Sequence, residues 1–427
     1  MSLGICVVGC ANVQSRPEQT VTYTTVEIPR TAPGVITSLL ETIRGVLARA
    51  LADSAFPGAI AVVGDRSGEL AQVAVGHLTW GEPAVPDRHS LWDLASLTKV
   101  VGTTTSIMRL VDQGQVDVNA PVQRYLPDWV GPGKSAVTVR HLLTHSSGLP
   151  AFKAYDQITT NRDSIDKLMF ATPLDSAPGS AMIYSDIGGY LLGKIVERVS
   201  GKTLDRFVAE NIFLPVGMAE TMFLPPAALL PRIAPTEIDP LRGGLVRGKV
   251  HDERAYYLGG VSGHAGLFGS ANDLSFFGRV LLNGGSLGGT SIVSAATLRQ
   301  FTAYADSTYS DRALGWQKPT VPGMRFHTGG AWGSSTRVST AAFGHTGFTG
   351  TSIIIDPVND VYIVLLSNRV NPTRANSKIG GVRTRLTDAV MAVLAPVSHD
   401  SPGAETPPAT KLRVTRGGAA QPQAPRQ

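Results

Sequence analysis

The stretch Asp93-Leu94-Ala95-Ser96-Leu97-Thr98-Lys99-Val100 constrains this chain more than any other. Its serine and lysine stand three residues apart where a helical pattern begins. Apolar residues recur from Leu97 through Val100, Val101, Ile107, Met108 and Val111 until Gly114 stops the run. Side chains at i and i+3 share one face of a helix, so Ser96 and Lys99 are expected to point the same way. Ser96 in the first turn would sit beside free backbone N–H groups and the positive end of the helix dipole, which suit an oxyanion. Lysine becomes a base when burial or a nearby cation disfavours its ammonium form. Ser-x-x-Lys therefore reads as a nucleophile and base pair, set against the plainer reading of a helix-capping serine followed by a solvated lysine.

Two later motifs bear on that choice. Tyr184-Ser185-Asp186 stands just before a helical pattern that starts at Ile187. Tyr184 is placed to shuttle a proton if a neighbouring cation favours its phenolate; Asp186 alone would read as a helix cap. Gly344-His345-Thr346-Gly347-Phe348-Thr349-Gly350 leads into a strand at Thr351. Its glycines let a substrate backbone approach closely. His345 and Thr346 are candidates to contact a substrate carboxylate, and the N–H groups of Phe348 and Ser96 are candidates for an oxyanion hole.

With these three motifs in this order, the chain resembles the serine β-lactamase and penicillin-binding protein superfamily, most of all its class C β-lactamase, D-alanyl-D-alanine carboxypeptidase and family VIII esterase branch. That family carries Ser-x-x-Lys, Tyr-x-Asn and Lys-Thr-Gly or His-Thr-Gly, matched here by Ser96/Lys99, Tyr184/Asp186 and His345/Thr346/Gly347. The stretches 141–150 and 347–352 also look familial, and the likeness runs from about Ala55 to Leu394. It implies an α/β (α+β) fold, an antiparallel sheet flanked by helices with an inserted, mostly helical part. It also implies an acyl-serine hydrolase that needs no metal or cofactor. The substrate would be a small ester, a β-lactam or a cell-wall peptide, and a non-turnover penicillin- or peptide-binding protein is the alternative. Two departures shape the expectation. Asp186 stands where the family has asparagine, and an ionised carboxylate cannot donate to a substrate carbonyl. His345 stands where efficient β-lactamases have lysine, and a neutral imidazole is a weaker fixed cation. Both lead to the expectation of esterase activity on short acyl chains, a D-amino peptidase as the companion possibility, and slow or absent β-lactam turnover.

The remaining signals are fewer. The 427 residues are 43% apolar, enough for a sizeable core. A net charge of +5 without a dense Lys/Arg run argues against nucleic-acid binding. Cys6 and Cys10 are the only cysteines, so disulfides, thiol catalysis and cysteine-rich metal sites are excluded from the globular part. Val7-Val8-Gly9-Cys10 resembles a lipobox, although no Lys or Arg precedes it and only nine residues stand before the cysteine. It gives the expectation of a bacterial envelope protein with membrane anchoring through Cys10. The oligomeric state is not legible.

Residues 1–30 read as an export or anchor segment with a tether, 31–397 as the hydrolase, and 398–427 as a Pro/Ala/Gly/Gln-rich disordered tail. Within the hydrolase, 31–95 and 290–397 supply the sheet part and 96–289 the mostly helical part. Ser286 sits in a Gly-x-Ser-x-Gly sequence but lacks the strand-then-helix context of a nucleophile elbow. His327-Thr328-Gly329 repeats the third motif's letters without a following strand. His141 and His145 have metal-ligand spacing but no third ligand, and read as structural. His251-Asp252-Glu253 and His264 fall in loops that spacing does not place.

Overall fold

The computed structural model describes residues 30–327 and 329–395. The lipobox with Cys10 and the tail over 398–427 lie outside the described residues. Five strands form one antiparallel sheet: β1 (Gly58–Gly64), β2 (Glu69–Gly76), β3 (Phe343–Thr346), β4 (Ser352–Asp356) and β5 (Val361–Ser367), in the order β3-β4-β5-β1-β2. The helices used below are α1 (Pro33–Ala52), α2 (Thr105–Asp112), α3 (Val139–Leu143), α4 (Asp186–Ser200), α5 (Glu253–Tyr257), α6 (Ala271–Leu282) and α7 (Ile379–Leu394).

β1 is apolar throughout because both its faces are covered. Strand side chains alternate between faces. Ala59, Ala61 and Val63 accordingly pack with Leu39, Ile43 and Leu47 of α1 and Val382, Leu386 and Val390 of α7. Ile60 and Val62 join the larger core, with Phe277 and Val280 of α6 and the helices beyond. A shift of β1 by one residue would exchange these two sets, so its pairing with β5 (Ile60 opposite Leu366) and β2 (Ala61 opposite Val73) is strongly specified. α6 falls within the 96–289 stretch read as the helical part, yet it packs on β1, β4 and β5. No helix among the described residues is long and apolar enough to cross a membrane.

The helix expected after Ser96 differs in its first turns. Lys99–Thr104 is π-helical and the regular α2 begins only at Thr105. Widened turns spoil the i→i+4 bonding of some carbonyls. Here hydroxyls take their place: Thr105 Oγ1 donates to the Val100 carbonyl at 2.7 Å and Ser106 Oγ to that of Gly102 at 2.8 Å. Just upstream, Trp92–Asp93 pairs with Leu267–Gly269, which brings the loop carrying His264 under the Ser96 turn.

Candidate active site

Ser96 sits in the tight turn that links the Trp92–Asp93 strand to the helix. Its neighbour Ala95 has φ +46°, a left-handed conformation costly for a residue with a Cβ. Asp93 holds that geometry. Its buried carboxylate accepts the N–H of Ala95 at 2.8 Å and that of His251 at 2.6 Å, while burial pushes its pKa up. The third motif clamps the same turn from the other side. Thr349 and Thr351 donate their hydroxyls to the carbonyls of Asp93 (2.7 Å) and Leu94 (3.1 Å). Gly347 is glycine for a steric reason, since a Cβ there would fall 2.5 Å from the Leu94 carbonyl oxygen. The N–H groups of Ser96 and Phe348 donate to no protein group among the described residues.

The buried Lys99 ammonium is fully engaged. It donates to Ser96 Oγ at 3.0 Å, to Asp186 Oδ1 at 2.8 Å and to the His264 carbonyl at 3.0 Å. Burial by itself lowers the pKa of such a group, but Asp186 and Tyr184 outweigh it and the net shift is upward. Lys99 is therefore held as a cation. The sequence left open whether Lys99 or Tyr184 moves the proton; burial favours Lys99 as a base, and the Asp186 carboxylate 2.8 Å away works against that effect.

Tyr184 lies beside this cation, with Lys99 Nζ 4.9 Å and the Arg312 guanidinium carbon 5.4 Å from its ring centroid. Its hydroxyl is buried, makes no hydrogen bond within 3.5 Å among the described residues, and lies near enough to Lys99 to favour that cation. His145, read from sequence as structural, supports this tyrosine. Its ring is 4.5 Å from that of Tyr184, and its Nδ1 accepts the Ser185 N–H at 3.1 Å. Asp186 is not the helix cap that its position suggested. Ser185 caps α4 by accepting the Gly188 N–H, which leaves Asp186 at the first helical position and commits its carboxylate to Lys99 and, at 3.5 Å, Arg254.

Ser96 stands where two cavities meet. One, of about 410 Å³, is lined by Phe152, Tyr184, Asp186, Arg254, His264 and Phe348. The other, of about 340 Å³, is lined by Tyr184, Arg312, His345, Phe348, Arg369 and Arg383. Thr346 and Gly347 border the second cavity as well. His345 is 1% exposed; burial, then Arg312 and Lys99, hold its pKa well below the ordinary 6.5, so it is neutral near pH 7. Three arginines thus supply the positive charge on this side. Arg383 donates to the carbonyls of Gly347 (3.0 Å) and Thr351 (2.8 Å), and burial followed by Arg369 pushes its pKa down to about 10. Arg369 donates to the Phe348 carbonyl at 2.8 Å and stacks on its ring.

Sequence reading missed these arginines because they are single residues, separated by long stretches, that only the folded sheet brings together. The rejected motifs lie elsewhere. Ser286 is on a two-residue strand paired with Thr290–Ser291 and lines neither cavity. His327 is exposed, and Thr328 lies outside the described residues. His141 completes a capping box with Thr138. Among the described residues no cluster of His, Cys, Asp and Glu could hold a metal.

A family model described as Beta-lactamase matches residues 43–383. A protein of Escherichia coli (strain K12) named "Putative D-alanyl-D-alanine carboxypeptidase" is 35% identical over 326 residues, 69% of this chain and 72% of the relative. A protein of the same name from Salmonella agona (strain SL483) is 34% identical over 333 residues, covering 71% and 75%. Among solved structures, a penicillin-binding protein homologue from Caulobacter crescentus aligns with TM-score 0.66 at 22% identity, over 83% of this chain and 97% of that one. A family VIII carboxylesterase aligns with TM-score 0.64 at 21% identity, over 85% and 98%. These two show the fold.

Proposed function

The chain belongs to the β-lactamase family of serine hydrolases, and on that premise we propose that it is a carboxypeptidase-type enzyme that cleaves peptides ending in a D-amino acid through an acyl-Ser96 intermediate. The observation that carries this reading is the cationic cavity beside Ser96. His345 is neutral there, but Arg312, Arg369 and Arg383 surround the space where the free carboxylate of a leaving D-amino acid would lie. The name carried by the curated relatives supports the D-amino part of the reading.

In this reading Ser96 Oγ attacks the scissile carbonyl while the Ser96 and Phe348 N–H groups receive the oxyanion. Lys99, already protonated and bonded to Ser96 Oγ, stays a cation and stabilises charge. Tyr184, acting as a phenolate beside the Lys99 and Arg312 cations, takes the serine proton and, as the phenol so formed, returns it to the leaving amine. Water then releases the acyl group. Asp186 has no donor to offer a β-lactam side-chain amide, so turnover of that class stays slow. Short-chain ester hydrolysis is the second reading. Phe152 and Phe348, 57% and 48% exposed, favour it by giving the larger cavity apolar walls.

The test compares kcat/KM for a D-Ala-D-Ala peptide, the same peptide with an amidated C-terminus, p-nitrophenyl butyrate and nitrocefin. The free carboxylate should be worth roughly tenfold or more over the amide, as a charge-assisted contact of about 1.5–3 kcal/mol requires. Equal rates on acid and amide, with the ester well ahead of both, would replace this reading with the esterase one.

A further inference from the structure

At the wall of the larger cavity, Lys99 and Asp186 belong to a closed ring of polar contacts whose other members, Arg254, Asp252 and His264, the chemistry above does not use. Asp186 joins Lys99 at 2.8 Å and Arg254 at 3.5 Å. Arg254 joins Asp252 at 2.5 Å, and Asp252 lies 3.0 Å from His264 Nε2. His264 closes the ring, because its own carbonyl accepts from Lys99 at 3.0 Å. The ring is braced from outside. Asp252 caps α5 through the Ala255 N–H, and His264 Nδ1 lies 2.7 Å from Ser262 Oγ. Gly189 of α4 makes room for the closure, since a Cβ there would meet His264 at 3.0 Å and the Lys99 stem at 3.3 Å. The side chains of the ring are all buried or nearly so: Lys99 is 6% exposed, Arg254 13%, Asp186 and Asp252 each 19% and His264 1%.

The carboxylate at 186 creates a problem that this ring answers. A buried aspartate beside one lysine would take the whole ammonium as its counter-ion and pull it from the serine. A second cation shares that charge. We propose that Arg254, anchored by Asp252 and His264, is a positioning residue that offsets the charge of Asp186, so that Lys99 keeps its bond to Ser96 Oγ. Arg254 touches neither Ser96 nor the reacting carbonyl in this role; it acts through Asp186. The inference rests on the acyl-serine reading above and goes beyond it, assigning a function to Asp252, Arg254 and His264.

A double-mutant cycle on the full chain tests it, with p-nitrophenyl butyrate as the probe because that ester carries no charge for Arg254 to bind. Ser96→Ala is the blank. If Ser96→Ala retains the ester rate, the acyl-serine reading has failed, whatever Arg254 does. Given an active Ser96, Arg254→Met should lower kcat by roughly tenfold or more and leave KM within about threefold. Asp186→Asn introduced into Arg254→Met removes the charge that needs offsetting, and should restore kcat to within about threefold of Asp186→Asn alone. A double variant as impaired as Arg254→Met would mean that Arg254 is only a brace for α5, and would overturn the proposal. Circular dichroism checks the fold of each variant. Should Arg254→Met fail to fold, the cycle is run with Asp252→Asn, which keeps the helix cap but loosens the anchor of Arg254. Rescue of Asp252→Asn by Asp186→Asn is again the expected result, and its absence the contrary one.

Discussion

At the scale of single residues the proposed chemistry turns on Lys99, whose charge state is set chiefly by Asp186. Burial alone would free it as a base; Asp186 at 2.8 Å keeps it an ammonium. Asp186→Asn removes the largest influence that raises the Lys99 pKa while leaving burial, which lowers it, in place. The alkaline limb of kcat/KM should therefore move to lower pH in that variant, measured on a neutral ester. A limb that stays put would belong to a group other than Lys99. Ser96, Lys99, Tyr184 and His345 could be picked out from spacing because each stands in a short motif at the edge of a periodic segment. The role of Asp186 was not legible in the same way. Its position before α4 fits a cap, and only the folded structure puts Ser185 in that place and turns the carboxylate toward two cations.

Elements hold the site in a layered way. The Ser96 turn is fixed by Asp93 from below and by the Thr349 and Thr351 hydroxyls from β4's side, which ties Ser96 to the sheet. A second tie joins the wall of the larger cavity to the segment after β5. Glu237 lies 3.0 Å from His251 Nε2 and accepts the Arg374 N–H at 2.9 Å and its Nε at 2.6 Å. Burial works against the charged carboxylate, yet these partners prevail and lower its pKa from 4.5 to about 2. A group with a depressed folded-state pKa stabilises the fold above its unfolded value and loses that contribution as pH falls through the folded one. Stability should thus decline as pH drops from 4.5 toward about 2. Glu237→Gln should be less stable at neutral pH and show a shallower decline, followed by urea unfolding at a series of pH values. An unchanged slope would assign the acid sensitivity to other carboxylates. No periodicity announces such ties, because their members belong to loops: Glu237 and His251 lie in one irregular stretch, and Arg374 stands 137 residues beyond Glu237.

The molecule as a whole is a sheet covered on both faces, with a helical part beside it and Ser96 between two cavities of different character. The sheet was readable because β1, β4 and β5 are apolar runs and α1 and α7 carry clean helical periodicity. β3 was harder. Its four residues look like the start of a glycine loop, and pairing with β4 is what makes them a strand. The charge of the second cavity was out of reach for a related reason. Arg312, Arg369 and Arg383 come from three separate segments and meet only around His345. The lysine-to-histidine departure therefore does not leave that side without a fixed cation, and this moves the substrate reading toward carboxylate-ended peptides.

All of this depends on Ser96 becoming acylated, and intact-mass spectrometry with peptide mapping after a fluorophosphonate or penicillin reads that directly. One adduct per chain is expected, on the peptide that contains Ser96, lost in Ser96→Ala and formed much more slowly in Lys99→Ala, by about 10²–10³-fold as for loss of a donor that stabilises charge in the transition state. An adduct mapped to Ser286, or labelling undiminished in Ser96→Ala, would contradict it.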